Sequence, residues 1–160
     1  MIKGITAAGV VWAGSAAAAC ETVFIGCTFD TGVKAVTVCV TDDEATYEFG
    51  PTGDVPDLTL AEPVSTVAYT PWPGVGRAIW ETVTFQNGAY RYEVYAGIDR
   101  NPDGEPPYGG VIVRKGDQEL TDLTCDLGSV TYTYDPVLSD AKAAAGLCWS
   151  GDAEAGWQGC

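Results

Sequence analysis

The chain contains no histidine. No Ser-His-Asp or Cys-His catalytic constellation can therefore exist, nor any zinc, copper or haem site that needs an imidazole ligand. Any catalysis would rest on carboxylates, Lys, Tyr or Arg. Basic residues are scarce: 8 Lys and Arg stand against 22 Asp and Glu, a net charge of -14. Such a surface repels nucleic acid and anionic lipid. It attracts a cationic partner over long range, and it also keeps an exported protein soluble. No apolar run reaches the roughly 20 residues that a bilayer-crossing helix needs. There is no Cys-x-x-Cys of the kind thiolate metal sites favour, no internal repeat and no linker that would split the chain.

What is present begins with a leader pattern. Met1, Ile2 and Lys3 precede an apolar run from Gly4 to Gly14 and then the small residues Ser15 to Ala19, with no further charge before Glu21. This is the plan of a secretory signal peptide over residues 1–19. Ala17 and Ala19 suit the ordinary signal peptidase, which predicts a mature chain starting at Cys20. The same Ala-Ala-Ala-Cys stretch is a variant lipoprotein box, and lipidation of Cys20 is the alternative. The expected location is the periplasm or the exterior. Loss of the leader removes only Lys3 and leaves a net charge near -15.

Residues 20–160 read as one β-rich domain. Val23, Ile25, Cys27 and Phe29, then Val36, Val38 and Val40, alternate with small or polar residues, the period of half-buried strands. Further strands are predicted at Thr46 to Phe49, Leu58 to Leu60, Val64 to Thr70, Ala78 to Phe85, Ala89 to Ala96, Gly110 to Arg114, Leu120 to Cys125 and Val130 to Tyr134. Gln86-Asn87-Gly88 predicts a type I′ hairpin turn, and Lys115-Gly116-Asp117 a second hairpin. The fold class expected is all-β: an antiparallel sandwich or barrel of short strands with disulfide staples. One short C-terminal helix is expected over 136–146, with Ser139 as its cap and Gly146 as its stop. Residues 147–160 read as a loose tail.

Cys20, Cys27, Cys39, Cys125, Cys148 and Cys160 after an export signal predict up to three disulfides. Cys27 and Cys39 flank the turn around Gly32 and are expected to face each other across a hairpin. Cys148 and Cys160 would close the tail, which leaves Cys20 with Cys125.

Three segments are candidates for function. Asp99, Asn101, Asp103 and Gly104, with the Glu105 carbonyl, resemble the first half of an EF-hand-type calcium loop, in which oxygens at alternate positions converge on one ion. Position twelve, a bidentate Glu in such loops, is Gly110 here, and the same residues also form turns. In the irregular loop Tyr69 to Trp80, Trp72 and Arg77 are the side-chain types that dominate interface energies. They are the candidate protein-binding residues, although Trp72 as a lid on the core and Arg77 paired with a carboxylate or stacked on a ring would satisfy the same pattern. Tyr90, Tyr92 and Tyr95 with Trp80 and Phe85 form core pairs or a sugar platform. No catalytic residue can be singled out. The reading that follows is a small exported, non-catalytic binding protein, in concrete form an inhibitor of a cationic envelope enzyme such as a lysozyme. The alternatives are a carboxylate-based hydrolase acting on envelope polymers and a calcium-stabilised structural envelope protein.

Overall fold

The computed structural model describes residues 20, 22–101, 103–134 and 136–160. The leader expected over 1–19 lies outside them. Two five-stranded antiparallel sheets pack face to face. The first has the order β10 (Thr131–Tyr132), β1 (Thr22–Phe29), β2 (Lys34–Val40), β3 (Glu44–Pro51) and β4 (Leu58–Pro63). The second runs β5 (Ala68–Thr70), β6 (Ala78–Asn87), β7 (Tyr90–Asp99), β8 (Tyr108–Lys115) and β9 (Gln118–Thr124). The chain meanders through both sheets and then returns β10 to the free edge of β1.

Strict alternation builds the core. Val36, Val38 and Val40 of β2, Ala45 and Tyr47 of β3, Val83 and Phe85 of β6, Val94 and Ala96 of β7 and Val111 of β8 point between the sheets and are buried. Tyr47 spans the gap, with its ring centroid 5.6 Å from those of both Phe85 and Tyr92. Each such aromatic pair adds about 0.5–1.5 kcal/mol beyond the area its rings bury. The short helix α1 (Val137–Ala144) closes one end with Leu138 and Lys142, one turn apart and both buried.

Several sequence expectations change. The β6–β7 register pairs Asn87 with Tyr90, so the turn residues are Gly88 and Ala89. Gly88 has φ 59° and Ala89 stays at negative φ, the pattern of a type II′ rather than a type I′ turn. The strand expected over Val64 to Thr70 begins only at Ala68. Before it, Val64 and Val67 are buried in a tight turn in which the Thr66 and Val67 amides donate to the Pro63 carbonyl. Ser139 does not cap the helix; Pro136 takes that position and no side chain caps it.

Cys27 does not meet Cys39. The β1–β2 register sets Cys27 opposite Val36 and Cys39 opposite Val23, so the two cysteines sit on opposite faces of the sheet. The disulfides are Cys20–Cys39, Cys27–Cys125 and Cys148–Cys160. Cys27–Cys125 ties β1 to the end of β9 and so joins the two sheets. The expected Cys20–Cys125 pair is likewise replaced. The tail is not loose: β11 (Leu147–Trp149) and β12 (Trp157–Gly159) form a hairpin. Trp157 stacks on Tyr69 at 5.8 Å, and its indole N–H donates to the Tyr69 carbonyl at 2.9 Å.

Candidate functional site

The loop 71–77 between β5 and β6 and the loop 100–107 between β7 and β8 emerge at the same end of the second sheet. Two prolines and two glycines prevent regular structure in the first; Gly74 and Gly76 lie at φ 82° and 101°, where a side chain would be strained. The Trp72 indole N–H donates to the Val75 carbonyl at 3.0 Å, folding the loop on itself. Its ring meets Tyr134 edge-on at 6.3 Å, and the Arg100 guanidinium lies 5.2 Å from its centroid.

The segments singled out in the sequence are therefore laced together. Arg77 pairs with Asp99 at 2.7 Å, the Arg100 amide donates to the Arg77 carbonyl at 3.0 Å, and the Arg100 guanidinium donates to the Gly76 carbonyl at 3.2 Å. The Arg77 side chain is 73% exposed and that of Asp99 only 13%. Hydrogen bonds from Arg77, and then from the Asn101 amide, hold the Asp99 carboxyl below the usual carboxylate range. Asn101 Oδ1 in turn accepts the Asp103 amide at 3.3 Å. Both carboxylate oxygens of Asp99 thus meet the Arg77 guanidinium. A calcium ion bound by Asp99, Asn101, Asp103 and the Glu105 carbonyl would compete with that guanidinium for the Asp99 carboxylate. Among the described residues no three acidic or cysteine side chains converge as a metal-ligand set.

Beneath Trp72 lies a feature the sequence reading did not single out. Glu81 sits at an inward-facing position of β6, in step with Val83 and Phe85, and is 4% exposed. The Tyr69 hydroxyl donates to one of its oxygens and the Tyr132 hydroxyl to the other, the latter at 2.7 Å. Ser139 Oγ of α1 lies 3.1 Å from the Tyr69 hydroxyl. Glu81 forms the floor of a cavity of about 230 Å³ lined by Pro71, Trp72, Tyr134, Pro136 and Ser139. The lining holds no basic side chain, and no ion pair reaches Glu81 among the described residues. Burial pushes the Glu81 carboxyl up, and the two tyrosine hydroxyls oppose that shift. Burial and the neighbouring carboxylate push both tyrosines well above the ordinary phenol range. The buried Lys142 serves elsewhere: its ammonium donates to the Val64 and Val67 carbonyls at 2.8 and 2.7 Å.

The tyrosine row divides between the two faces of its sheet, because Tyr92 and Tyr95 are an odd number of residues apart. Tyr92 packs inward against Tyr47. Tyr95 lies on the outer face with Trp80 and Tyr108 in a trough of about 270 Å³, beside Thr82, Glu93, Ile112 and Asp122. The glycines explain the shape. A Cβ on Gly97 would come within 2.5 Å of the Tyr108 ring, and one on Gly110 within 2.5 Å of the Tyr95 hydroxyl, so both rings lie across the sheet where side chains are missing.

Comparison with protein-family models, with curated proteins and with solved structures finds no match.

Proposed function

We propose that this chain is a small exported, non-catalytic binding protein that docks a cationic partner at its loop-bearing end, in concrete form an inhibitor of a cationic envelope enzyme such as a lysozyme. The observation that carries the reading is the lacing of the Trp72–Arg77 loop to the Asp99–Asp103 loop. It holds a tryptophan and an exposed arginine in one fixed geometry before any partner arrives. A preorganised loop loses less conformational entropy on binding, and the chain's charge of -14 speeds encounter with a cationic surface. Three disulfides support export, and among the described residues no helix is long and apolar enough to cross a membrane. The hydrolase alternative needs two facing carboxylates; the Glu81 cavity is lined by one, the outer trough by Glu93 and Asp122, and a cavity of about 530 Å³ by Asp42, Asp43 and Asp140.

The test is titration of lysozyme by surface-bound protein, in parallel with a cell-wall lysis assay. Binding should slow in onset as salt rises, and Trp72→Ala should weaken it at least about 30-fold, the loss of a hot-spot residue. Undiminished lysis at saturating protein would remove the lysozyme version. Unchanged affinity in Trp72→Ala would remove the loop end as the docking surface.

The outer trough supports a second reading, saccharide binding. Rings laid flat beside Asp122 and Thr82 offer stacking faces and hydrogen-bonding groups together. Oligosaccharide titration of wild type against Trp80→Ala decides it: equal heats in both would reject this surface.

A further inference from the structure

A buried carboxylate is held against a large desolvation penalty unless it is paired. Glu81 receives two hydroxyl hydrogen bonds and no cation. Those bonds orient it but leave its charge uncompensated. Its cavity is walled by Trp72, Tyr134 and two prolines, all of which can cover a hydrocarbon stem. The rim residue Tyr134 is exposed and Glu81 is buried, so the carboxylate sits at the end of an open socket.

From this geometry we infer that the cavity is a receptor for one primary ammonium group on an alkyl chain, as presented by a lysine side chain of a bound protein. The inference deepens the docking reading above and rests on it for the identity of the lysine's owner. The choice of ammonium over guanidinium follows from the acceptors. An ammonium carries three divergent N–H donors, whereas a guanidinium matches a carboxylate through two parallel ones. Each Glu81 oxygen already accepts a tyrosine hydroxyl, which obstructs a flat two-point fork. The Ser139 hydroxyl, 3.1 Å from that of Tyr69 and also lining the cavity, adds a third oxygen acceptor. The Arg100 guanidinium already lies 5.2 Å from the Trp72 centroid, so Trp72 and Tyr134 serve the socket as apolar walls for the alkyl stem.

The titratable groups facing Glu81 are Tyr69 from β5, Tyr132 from β10 and Tyr134 in the cavity wall; α1 contributes the neutral Ser139. Tyr69 and Tyr132 stay protonated at neutral pH. Glu81, whose carboxyl burial pushes up, is the group expected to release a proton when a cation enters.

The experiment uses small probes, so its outcome does not depend on whether any protein partner binds. Nα-acetyl-lysine methylamide is titrated into the isotope-labelled full mature chain at low salt, with the arginine and norleucine analogues as comparators. The lysine probe should shift the Trp72 indole and Ser139 signals saturably, and norleucine, of similar length and uncharged, should not. Below neutral pH, calorimetry in buffers of different ionisation enthalpy should show proton release. Glu81→Gln should weaken the probe at least tenfold with its amide spectrum otherwise native. If that variant does not fold, Trp72→Ala, which removes a wall at the surface, should weaken it as well. Equal shifts from norleucine, or undiminished binding in both variants, would overturn the socket. Tighter binding of the arginine probe would overturn the assignment to ammonium. A socket that binds the lysine probe in a protein that does not bind lysozyme would leave this inference standing and remove only the lysozyme version of the function.

Discussion

Glu81 sets the protein's most informative pH dependence. Its folded-state carboxyl is pushed above the ordinary glutamate range. The stability it contributes is therefore fully present below that ordinary range and is lost as pH rises through the folded-state value. Other carboxyls act in the opposite sense. The Asp126 carboxylate accepts the Thr28 hydroxyl at 2.8 Å and the Thr31 and Gly32 amides at 3.0 and 2.8 Å, which holds its carboxyl down. Acid therefore weakens that clasp. The difference between wild type and Glu81→Gln isolates the one group: the variant's advantage should be greatest at neutral pH and shrink towards pH 4. At neutral pH we expect Glu81→Gln to gain stability from the lost desolvation of the charge, offset in part because the Gln amide nitrogen cannot accept one of the two tyrosine hydroxyls. Denaturant melts across that pH range measure it. A variant less stable than wild type at every pH would show that the carboxylate is structural.

Elements were more legible in the sequence than their partners. Val36, Val38 and Val40, like Ala78 to Phe85, announce strands because the period of two is unbroken by Pro or Gly. Their pairing depends on register, and a shift of one residue exchanges the faces of a strand, so Cys27 and Cys39, though they flank one turn, lie on opposite faces. Glu81 had a readable signal, a lone acid in the inward series Val83 and Phe85, but only if inward parity is known. Its partners Tyr69, Tyr132 and Ser139 come from three elements up to 70 residues apart, which no local pattern reports. Lys142 was hidden in an alanine run, one helical turn from Leu138. The pairing of Arg77 with a carboxylate was anticipated as a class, though not Asp99 in particular. That ion pair makes a prediction for the β7–β8 loop. Calcium and magnesium at equal ionic strength should raise the melting temperature equally, by screening alone, because Arg77 already occupies Asp99. A larger calcium shift, abolished by Asp103→Ala, would place the ion in the loop instead.

At the scale of the whole molecule, the meander leaves only β10 to close the first sheet, and Cys27–Cys125 fastens the sheets across a sequence separation of 98. In the loop-entropy account a link of that span is worth about 4.7 kcal/mol and one spanning about 15 residues about 3 kcal/mol. Removing Cys27 and Cys125 together should therefore destabilise the fold more than removing Cys148 and Cys160, whose separation is 12. Paired thermal melts of the two double-serine variants rank them. The reverse order would mean that the C-terminal hairpin, through Trp157 and Tyr69, contributes more than the closure of the sandwich.

The same bridges constrain how the chain is made. Cys27 lies between Cys20 and its partner Cys39, while its own partner is Cys125. A chain threaded N-terminus first into an oxidising compartment presents Cys20 and Cys27 together, long before Cys125 arrives. Oxidation in order of emergence joins these neighbours, a wrong pair that must be reopened by thiol–disulfide exchange. Maturation should thus depend on a disulfide isomerase as well as an oxidase. Expression in an export host lacking its isomerase should yield mainly misbridged chains, resolved by non-reducing electrophoresis and peptide mapping. Cys148 and Cys160, adjacent in the order of emergence, should still be joined correctly in those chains.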